Sequence, residues 1–330
     1  MKTIKAIQLS HPTNGMHADY VKLPLSALPS REVLIKVEYS SINYKDYLAM
    51  SGLAPIARTL PLVAGIDFSG LVLESSSEDY NQGDYVIGVG SGLSESYNGG
   101  YASMVWEDAA NLVRLPKGMS TRDAMIFGTA GFTAMLATRL MQSHLFELSS
   151  KLPYLITGAS GGVGSIASLI LSRQNLEVHA MTSKLSHATF FKRLGVSKVK
   201  SYDELTLSHP LNKARYAGAI DNLGGTILSS LLTVMSPWSS VVCVGLTSDP
   251  NFKSTVYPFI LRGVQLKGIH LDVPNDLKKI IWQSLYTLSK EVDVNHLVDK
   301  EITLSEILEV VDGYKKKVSP GRILVNLKDN

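Results

Sequence analysis

The run Thr157-Gly158-Ala159-Ser160-Gly161-Gly162-Val163-Gly164 holds the residues whose type and spacing most plainly suit chemistry. Residues this small let a backbone approach a bulky anion closely. Before the run, Tyr154-Leu155-Ile156-Thr157 reads as a strand; after it, a helix starts near Val163 and continues from Gly164 to Gln174. That order aims helix-start amides and the positive end of the helix dipole at a pyrophosphate. Set on the dinucleotide pattern G-x-G-x-x-G, the turn reads Ala159-x-Gly161-x-x-Gly164. Alanine replaces the first glycine, at a position that asks only for a small residue.

The next strand discriminates between dinucleotides. About 20 residues further on, a site for NAD presents Asp or Glu to the ribose 2′-hydroxyl. Here Glu177-Val178-His179-Ala180-Met181 runs into Thr182, Ser183 and Lys184, with no acid. Two hydroxyls and an ammonium suit a 2′-phosphate through charge-assisted hydrogen bonds, with Lys198 as a second cation. The expected cofactor is therefore NADPH.

The surrounding elements must place these groups. From Leu152 onward strands and helices alternate, with further strands expected at Lys198-Val199-Lys200, Gly218-Ala219-Ile220-Asp221, Val241-Val242-Cys243-Val244-Gly245 and Val264-Gln265-Leu266-Lys267-Gly268. Such alternation predicts a doubly wound parallel sheet covered by helices on both faces. Before residue 120 the chain reads differently. Val33-Leu34-Ile35-Lys36-Val37-Glu38-Tyr39, Gly70-Leu71-Val72-Leu73-Glu74 and Asp84-Tyr85-Val86-Ile87-Gly88-Val89 are short strands among Gly, Pro and Ser clusters, as in a small β-rich domain. Ser120 or Thr121 can cap a helix through Ile126, and Gly131 to Leu148 reads as helical. Strands at Glu301–Leu304 and Arg322–Val325 are expected in the tail. The reading is α/β, with residues 124–271 as the nucleotide domain and 1–123 with 272–330 as a discontinuous second domain.

Bulk properties bound the function. With 330 residues, 45% hydrophobic and 18% charged, the chain is an ordinary globular one of two-domain length. Its net charge of +3 is spread out apart from Lys315-Lys316-Lys317, which argues against a nucleic-acid partner. Cys243 is the single cysteine, so no internal disulfide and no thiolate cluster for a metal can form; in its apolar run it reads as a buried small hydrophobe. The isolated histidines 11, 17, 179, 187 and 209 lack ligand spacing. No window reads as a membrane span, and the expected location is the cytoplasm.

Several segments then resemble one family. Ile42-Asn43-Tyr44-Lys45-Asp46, Gly65-Ile66-Asp67-Phe68-Ser69-Gly70, Gly128-Thr129-Ala130-Gly131-Phe132-Thr133-Ala134-Met135-Leu136, the glycine turn itself and Pro258-Phe259-Ile260-Leu261-Arg262 occur in family order. The chain resembles the zinc-free quinone oxidoreductase branch of the medium-chain dehydrogenase/reductase superfamily, within it the bacterial acrylyl-CoA reductase type. The resemblance implies a GroES-like catalytic domain built from both chain ends, a Rossmann domain between them, and a homodimer. Zinc members carry a cysteine where Asn43 stands and a His-Glu pair where Ile66-Asp67 stands. The expected chemistry is metal-free.

The resemblance also implies site residues. It puts Tyr44 near the nicotinamide, to orient substrate or donate a proton, and Asn43 beside it, to bond a carbonyl or fix the loop. Asp67 would orient Tyr44 or Lys45, or stabilise a turn. Thr129 would contact the nicotinamide ribose, while Gly245-Leu246 and Phe259-Ile260 would be strand-end loops beside the ring. Without a metal, hydride addition to a double bond conjugated to a carbonyl is easier than carbonyl reduction, because charge spreads onto an oxygen that amides or a hydroxyl can stabilise. The expected substrate is an enone or an enoyl thioester such as acrylyl-CoA. A quinone, or NADPH binding with little turnover as in crystallin relatives, are the other readings. The sequence departs from the reductases at Ala64 and over Gly90–Gly100, where substrate choice is expected to be set.

Overall fold

The computed structural model describes residues 2–11, 15–143, 151–205, 209–316 and 319–328. The expected helical residues 144–148 and Lys317 lie outside them. The chain forms two compact units: Met1–Thr129 with Leu271–Val318 and Arg322–Asn330, and Ala130–His270 with Ser319–Gly321.

In the first unit the β-branched run Val33–Ser41 becomes a central strand, almost wholly buried. It pairs antiparallel with Asp67–Ser75, with Met104–Glu107 and with the last strand, Arg322–Asn326. The seven-stranded sheet continues through Tyr85–Val89 to Leu112–Arg114 on one side and to Val298–Thr303 on the other. A smaller sheet joins His17–Pro24, Thr3–Ser10 and Leu62–Val63. Ile35, Val37, Phe68, Tyr101, Leu304 and Val325 share one core, so residues from both ends of the chain are buried together. The register sets Leu324 opposite Ser41, and the Ile42 amide donates to Ile323 O at 2.9 Å. Arg322 is thereby carried to the turn that precedes Tyr44.

The second unit holds six parallel strands. Their spatial order is Lys198–Lys200, Val178–Met181, Tyr154–Thr157, Tyr216–Asp221, Met235–Cys243 and Gln265–Gly268. Numbered along the chain within this sheet, the order is 3-2-1-4-5-6, the doubly wound Rossmann arrangement. Val178–Met181 and Tyr216–Asp221 are buried at every residue, as expected where helices cover both faces. The order reverses beside Tyr154–Thr157, and a ligand crevice forms beyond the carboxyl ends of strands at such a switch point.

Three expectations need correction. Thr121–Gln142 is long and apolar enough to cross a membrane by length and composition, although the sequence reading found no such window. It is mostly buried within the protein and is broken at Gly128 (φ 50°, ψ −149°), which are marks of a core helix. Phe259 and Ile260 stand on the helix Tyr257–Arg262 rather than in a loop. Pro258 in its first turn favours that start, and Gly263 ends it in the left-handed region. Cys243 ends its strand only half-buried, because the last residue of the strand is already emerging from the helical cover.

Candidate active site and cofactor site

The cofactor turn is built by close approach. Gly161 caps the helix Gly162–Arg173 without any side-chain bond to its first-turn amides. Those amides have no intrahelical acceptor, and the twelve-residue helix adds its dipole at the same point. A side chain at Gly164 would bring its Cβ within 2.5 Å of Gly158 O, so helix and turn touch backbone to backbone. At Gly161 the nearest atom to such a Cβ is Gly158 O at 3.3 Å, so the position is more open than Gly164. Thr157 Oγ1 donates to Asp221 Oδ1 at 2.6 Å, and the Gly224 amide donates to Asp221 Oδ2 at 2.8 Å. Asp221, its carboxyl pushed up by burial, thus ties the end of the first strand of this sheet to the end of the fourth.

Thr182 and Lys184, two of the expected phosphate-binding residues, meet at the end of the second strand of this sheet. Lys198 instead stands opposite His179 near the start of that strand, because the parallel register carries it to the far end. Thr182 Oγ1 donates to Ser160 Oγ at 3.1 Å and accepts from the Lys184 amide at 3.0 Å. Lys184 Nζ donates to Ser319 O at 2.9 Å, and the Gly321 amide donates to Ser160 O at 3.1 Å. Ser319–Gly321 therefore borders both the glycine turn and the Thr182–Lys184 segment, a contact the sequence reading missed. Lys198 starts its strand exposed, and no acid stands among Thr182, Ser183 and Lys184. Hydroxyls, a lysine ammonium and helix-start amides without an intrahelical acceptor fit a phosphorylated dinucleotide. Among the candidates at the ring end, Gly245 packs on Asn222 O, whereas Leu246 and Ile260 are exposed and Phe259 is half-buried.

In the first unit, Asn43 and Asp67 form one buried network. Asp67 Oδ1 accepts from the Ser41 amide at 3.0 Å, and Oδ2 accepts from Asn43 Nδ2 and from the Thr129 amide, each at 2.9 Å. Ser41 Oγ lies 2.7–2.8 Å from both carboxylate oxygens. Arg322, also buried, donates from Nη2 to Ser41 Oγ at 2.6 Å and from Nη1 to Asn43 Oδ1 at 3.2 Å. Its Nε donates to Ile126 O at 3.0 Å. Burial pulls the guanidinium's pKa down, and the Asp67 carboxylate opposes that shift. Of the two expected jobs for Asn43, fixing the turn is the one these bonds serve. Asp67 bonds Ser41, Asn43 and Thr129 rather than Tyr44 or Lys45, because the strand Asp67–Ser75 starts beneath the Ser41–Asn43 turn. Lys45 instead pairs with Glu95, in the loop where substrate choice was expected to lie.

Tyr44 opens the helix Tyr44–Ser51, directly after its cap, Asn43. The Asn43 amide donates to Asp46 Oδ2 at 2.9 Å, and the Ile66 amide donates to Asp46 Oδ1 at 3.0 Å. Asp46 is fully buried, and this together with the nearby Asp67 charge raises its carboxyl pKa to about 7. The half-buried Tyr44 ring lies 5.9 Å from Tyr47 and 6.4 Å from Tyr314, centre to centre. Among the described residues no group of three His, Cys, Asp or Glu could hold a metal ion. Arg322 was absent from the sequence reading because a lone arginine opening a C-terminal strand carries no local signal.

These features have counterparts in known proteins. The alcohol dehydrogenase GroES-like domain family matches residues 29–117. Acrylyl-CoA reductase AcuI of Ruegeria pomeroyi is 42% identical over 250 residues, which cover 75% of this chain and 76% of that protein. "Putative quinone oxidoreductase YhfP" of Bacillus subtilis is 37% identical over 98% of both chains. A B. subtilis yhfP structure, solved with NAD bound, aligns with a TM-score of 0.93 over 99% of this chain and 100% of that one. The yhdH oxidoreductase of Salmonella enterica, solved in complex with NADP, is 35% identical with a TM-score of 0.92 over 98% and 99% of the two chains. With a GroES-like domain, a Rossmann sheet and relatives of this identity and coverage, the chain belongs to the acrylyl-CoA reductase and quinone oxidoreductase branch of the medium-chain dehydrogenase/reductase superfamily, a family of oxidoreductases.

Proposed function

We propose that this chain is an NADPH-dependent reductase of carbon–carbon double bonds conjugated to a carbonyl, in a small enone or an enoyl thioester such as acrylyl-CoA, and that it works without zinc. The observation that carries the reading is the cradle at Gly161–Gly164 joined, through Ser160 and Thr182, to a lysine-bearing strand end without an acid. Ala159, Ser160, Gly161, Gly162, Val163 and Gly164 hold the pyrophosphate. Thr182, Ser183 and Lys184 hold the 2′-phosphate. Thr129, Gly245, Leu246, Phe259 and Ile260 border the nicotinamide and its ribose.

NADPH supplies the hydride when bound. The chain's own task is to orient the acceptor and to steady the negative charge that moves onto the carbonyl oxygen. Tyr44 carries a hydroxyl at the start of a capped helix and is the group for orienting substrate or delivering the proton to the α-carbon. Asn43 and Asp67 hold that helix start and do not touch substrate. The enzyme is proposed to be a cytoplasmic homodimer acting on small molecules, with no nucleic-acid or membrane partner; light scattering on the eluting protein tests the dimer.

The deciding experiment follows NADPH and NADH oxidation with acrylyl-CoA, a small enone and a quinone, together with metal analysis of the active protein. Preferred turnover of NADPH with acrylyl-CoA or the enone, by zinc-free protein, supports the reading. Preference for the quinone favours the second reading, which the name of the B. subtilis relative suggests. NADH preferred more than about tenfold would overturn the Lys184 assignment, since one charge-assisted hydrogen bond is worth at least that much. Stoichiometric zinc would overturn the metal-free mechanism.

A further inference from the structure

Asp67 and Arg322 lie at the meeting point of segments that are distant in sequence. One is the turn Ser41–Asn43, which ends the central strand and caps the Tyr44 helix. The other is the bend Ile126–Thr129, where the chain turns at Gly128. The Asp67 carboxylate accepts from both segments, through Ser41 and Asn43 on one side and the Thr129 amide on the other. The Arg322 guanidinium donates to both, reaching Ser41 and Asn43 on one side and Ile126 O on the other. A Cβ at Gly128 would stand 2.7 Å from Asp67 Oδ2, 2.8 Å from Ser41 Oγ and 3.1 Å from Arg322 Nη2. The bend is therefore packed directly onto the pair.

We propose that Arg322 is a positioning residue: clamped with Asp67 between the two segments, it sets the placement of Tyr44 and Thr129 relative to each other. Tyr44 is the next residue along from the clamped Asn43, and Thr129 is itself held through its amide. A guanidinium offers its donors in a fixed planar fork, so few arrangements satisfy Ser41, Asn43 and Ile126 together. Buried charges left without partners are heavily penalised, and this discourages alternative arrangements of the two segments. Lysine keeps the charge but lacks the fork. The functional consequence rests on the proposed roles of Tyr44 and Thr129; the structural consequence does not.

The test combines amide hydrogen exchange with kinetics on the full chain, comparing wild type, Arg322→Lys and the double variant Asp67→Asn/Arg322→Met. In Arg322→Lys, the amides of residues 43–46 and 129 should exchange about tenfold faster, while those of Asp67–Ser75 and Gly162–Arg173 stay as in wild type. Its kcat should fall about tenfold, with KM for NADPH changed by less than about threefold, because only placement is lost. The double variant removes both charges, so its Tm should return toward wild type while kcat stays low. Wild-type exchange at residues 43–46 and 129 in folded Arg322→Lys overturns the proposal, as does recovery of kcat together with Tm in the double variant. If Arg322→Lys does not fold, Ser41→Ala carries the same expectation at about threefold in exchange. Should the wild type reduce nothing in the substrate panel, the proposed function fails and the exchange result still decides the clamp.

Discussion

Lys184 Nζ lies 2.9 Å from the carbonyl oxygen of Ser319, so a residue 135 positions further along the chain helps hold a cation at the end of the second Rossmann strand. The ammonium is thereby tied to the Ser319–Gly321 segment, whose Gly321 amide donates to Ser160 O on the glycine turn. A lysine fixed in this way gives up less conformational freedom when it meets a phosphate than a free one would.

Lys184→Ala should therefore raise KM for NADPH by about 10- to 100-fold, the effect of losing one charge-assisted hydrogen bond. KM for NADH should change by less than about threefold, since the lost partner is the 2′-phosphate. Equal losses with both cofactors would show that Lys184 is only structural.

The two glycines of the turn should respond differently to alanine. At Gly164 a Cβ meets Gly158 O at 2.5 Å, so Gly164→Ala should cost about 1–3 kcal/mol of stability by overpacking, along with cofactor affinity. Gly161→Ala meets only one atom, at 3.3 Å, and should leave Tm nearly unchanged while NADPH affinity falls. Denaturant melts beside NADPH titrations separate the two effects.

Gly128→Ala should destabilise the first unit by about 1–3 kcal/mol, since the position combines φ 50° with a Cβ clash against Asp67 and Ser41. Urea unfolding measures it. A shift below about 0.5 kcal/mol, the usual size for surface changes, would mean that the network relaxes freely.

Asp46 gives a pH signature. Its folded pKa, raised to about 7, lies above its ordinary value of 3.8, so the folded protein holds a proton there that the unfolded chain has released. Stability from this group is fully present below the ordinary value and is lost as pH rises through about 7. Asp46→Asn removes that dependence, so the Tm difference, wild type minus variant, should shrink from pH 5 to about pH 7 and level off above it. A difference that grows over that range would mean that the carboxylate form is the stabilising one.

Tyr44→Phe tests the proposed chemistry. Loss of a group that delivers a proton lowers kcat by about 100-fold or more, with KM for NADPH little changed. Wild-type kcat in this variant would move the proton donor elsewhere.

Much of the nucleotide unit was legible from contiguous residues. Strand, glycine turn and helix follow one another between Tyr154 and Arg173, and the missing acid is read directly off Thr182-Ser183-Lys184. Backbone sterics and side-chain periodicity act over a few residues, so one short window contains the whole signal. Phe259 and Ile260 were misplaced because a six-residue helix offers less than two turns of periodicity, and Pro258 suits a turn as well as a helix start.

By itself the sequence determined the cofactor turn, the absence of a carboxylate to meet a 2′-hydroxyl, and the positions at which Asn43 and Ile66-Asp67 stand in place of zinc ligands. Tertiary structure alone decided what Asn43 and Asp67 do, since their partner Arg322 lies 279 residues beyond Asn43 and arrives with the last strand of the sheet. The antiparallel pairing of Arg322–Asn326 with Val33–Ser41 brings a charged fork to Ser41 and Asn43, the residues that also bond the buried Asp67 carboxylate. No local preference encodes that meeting; it follows from the register of two strands at opposite ends of the chain.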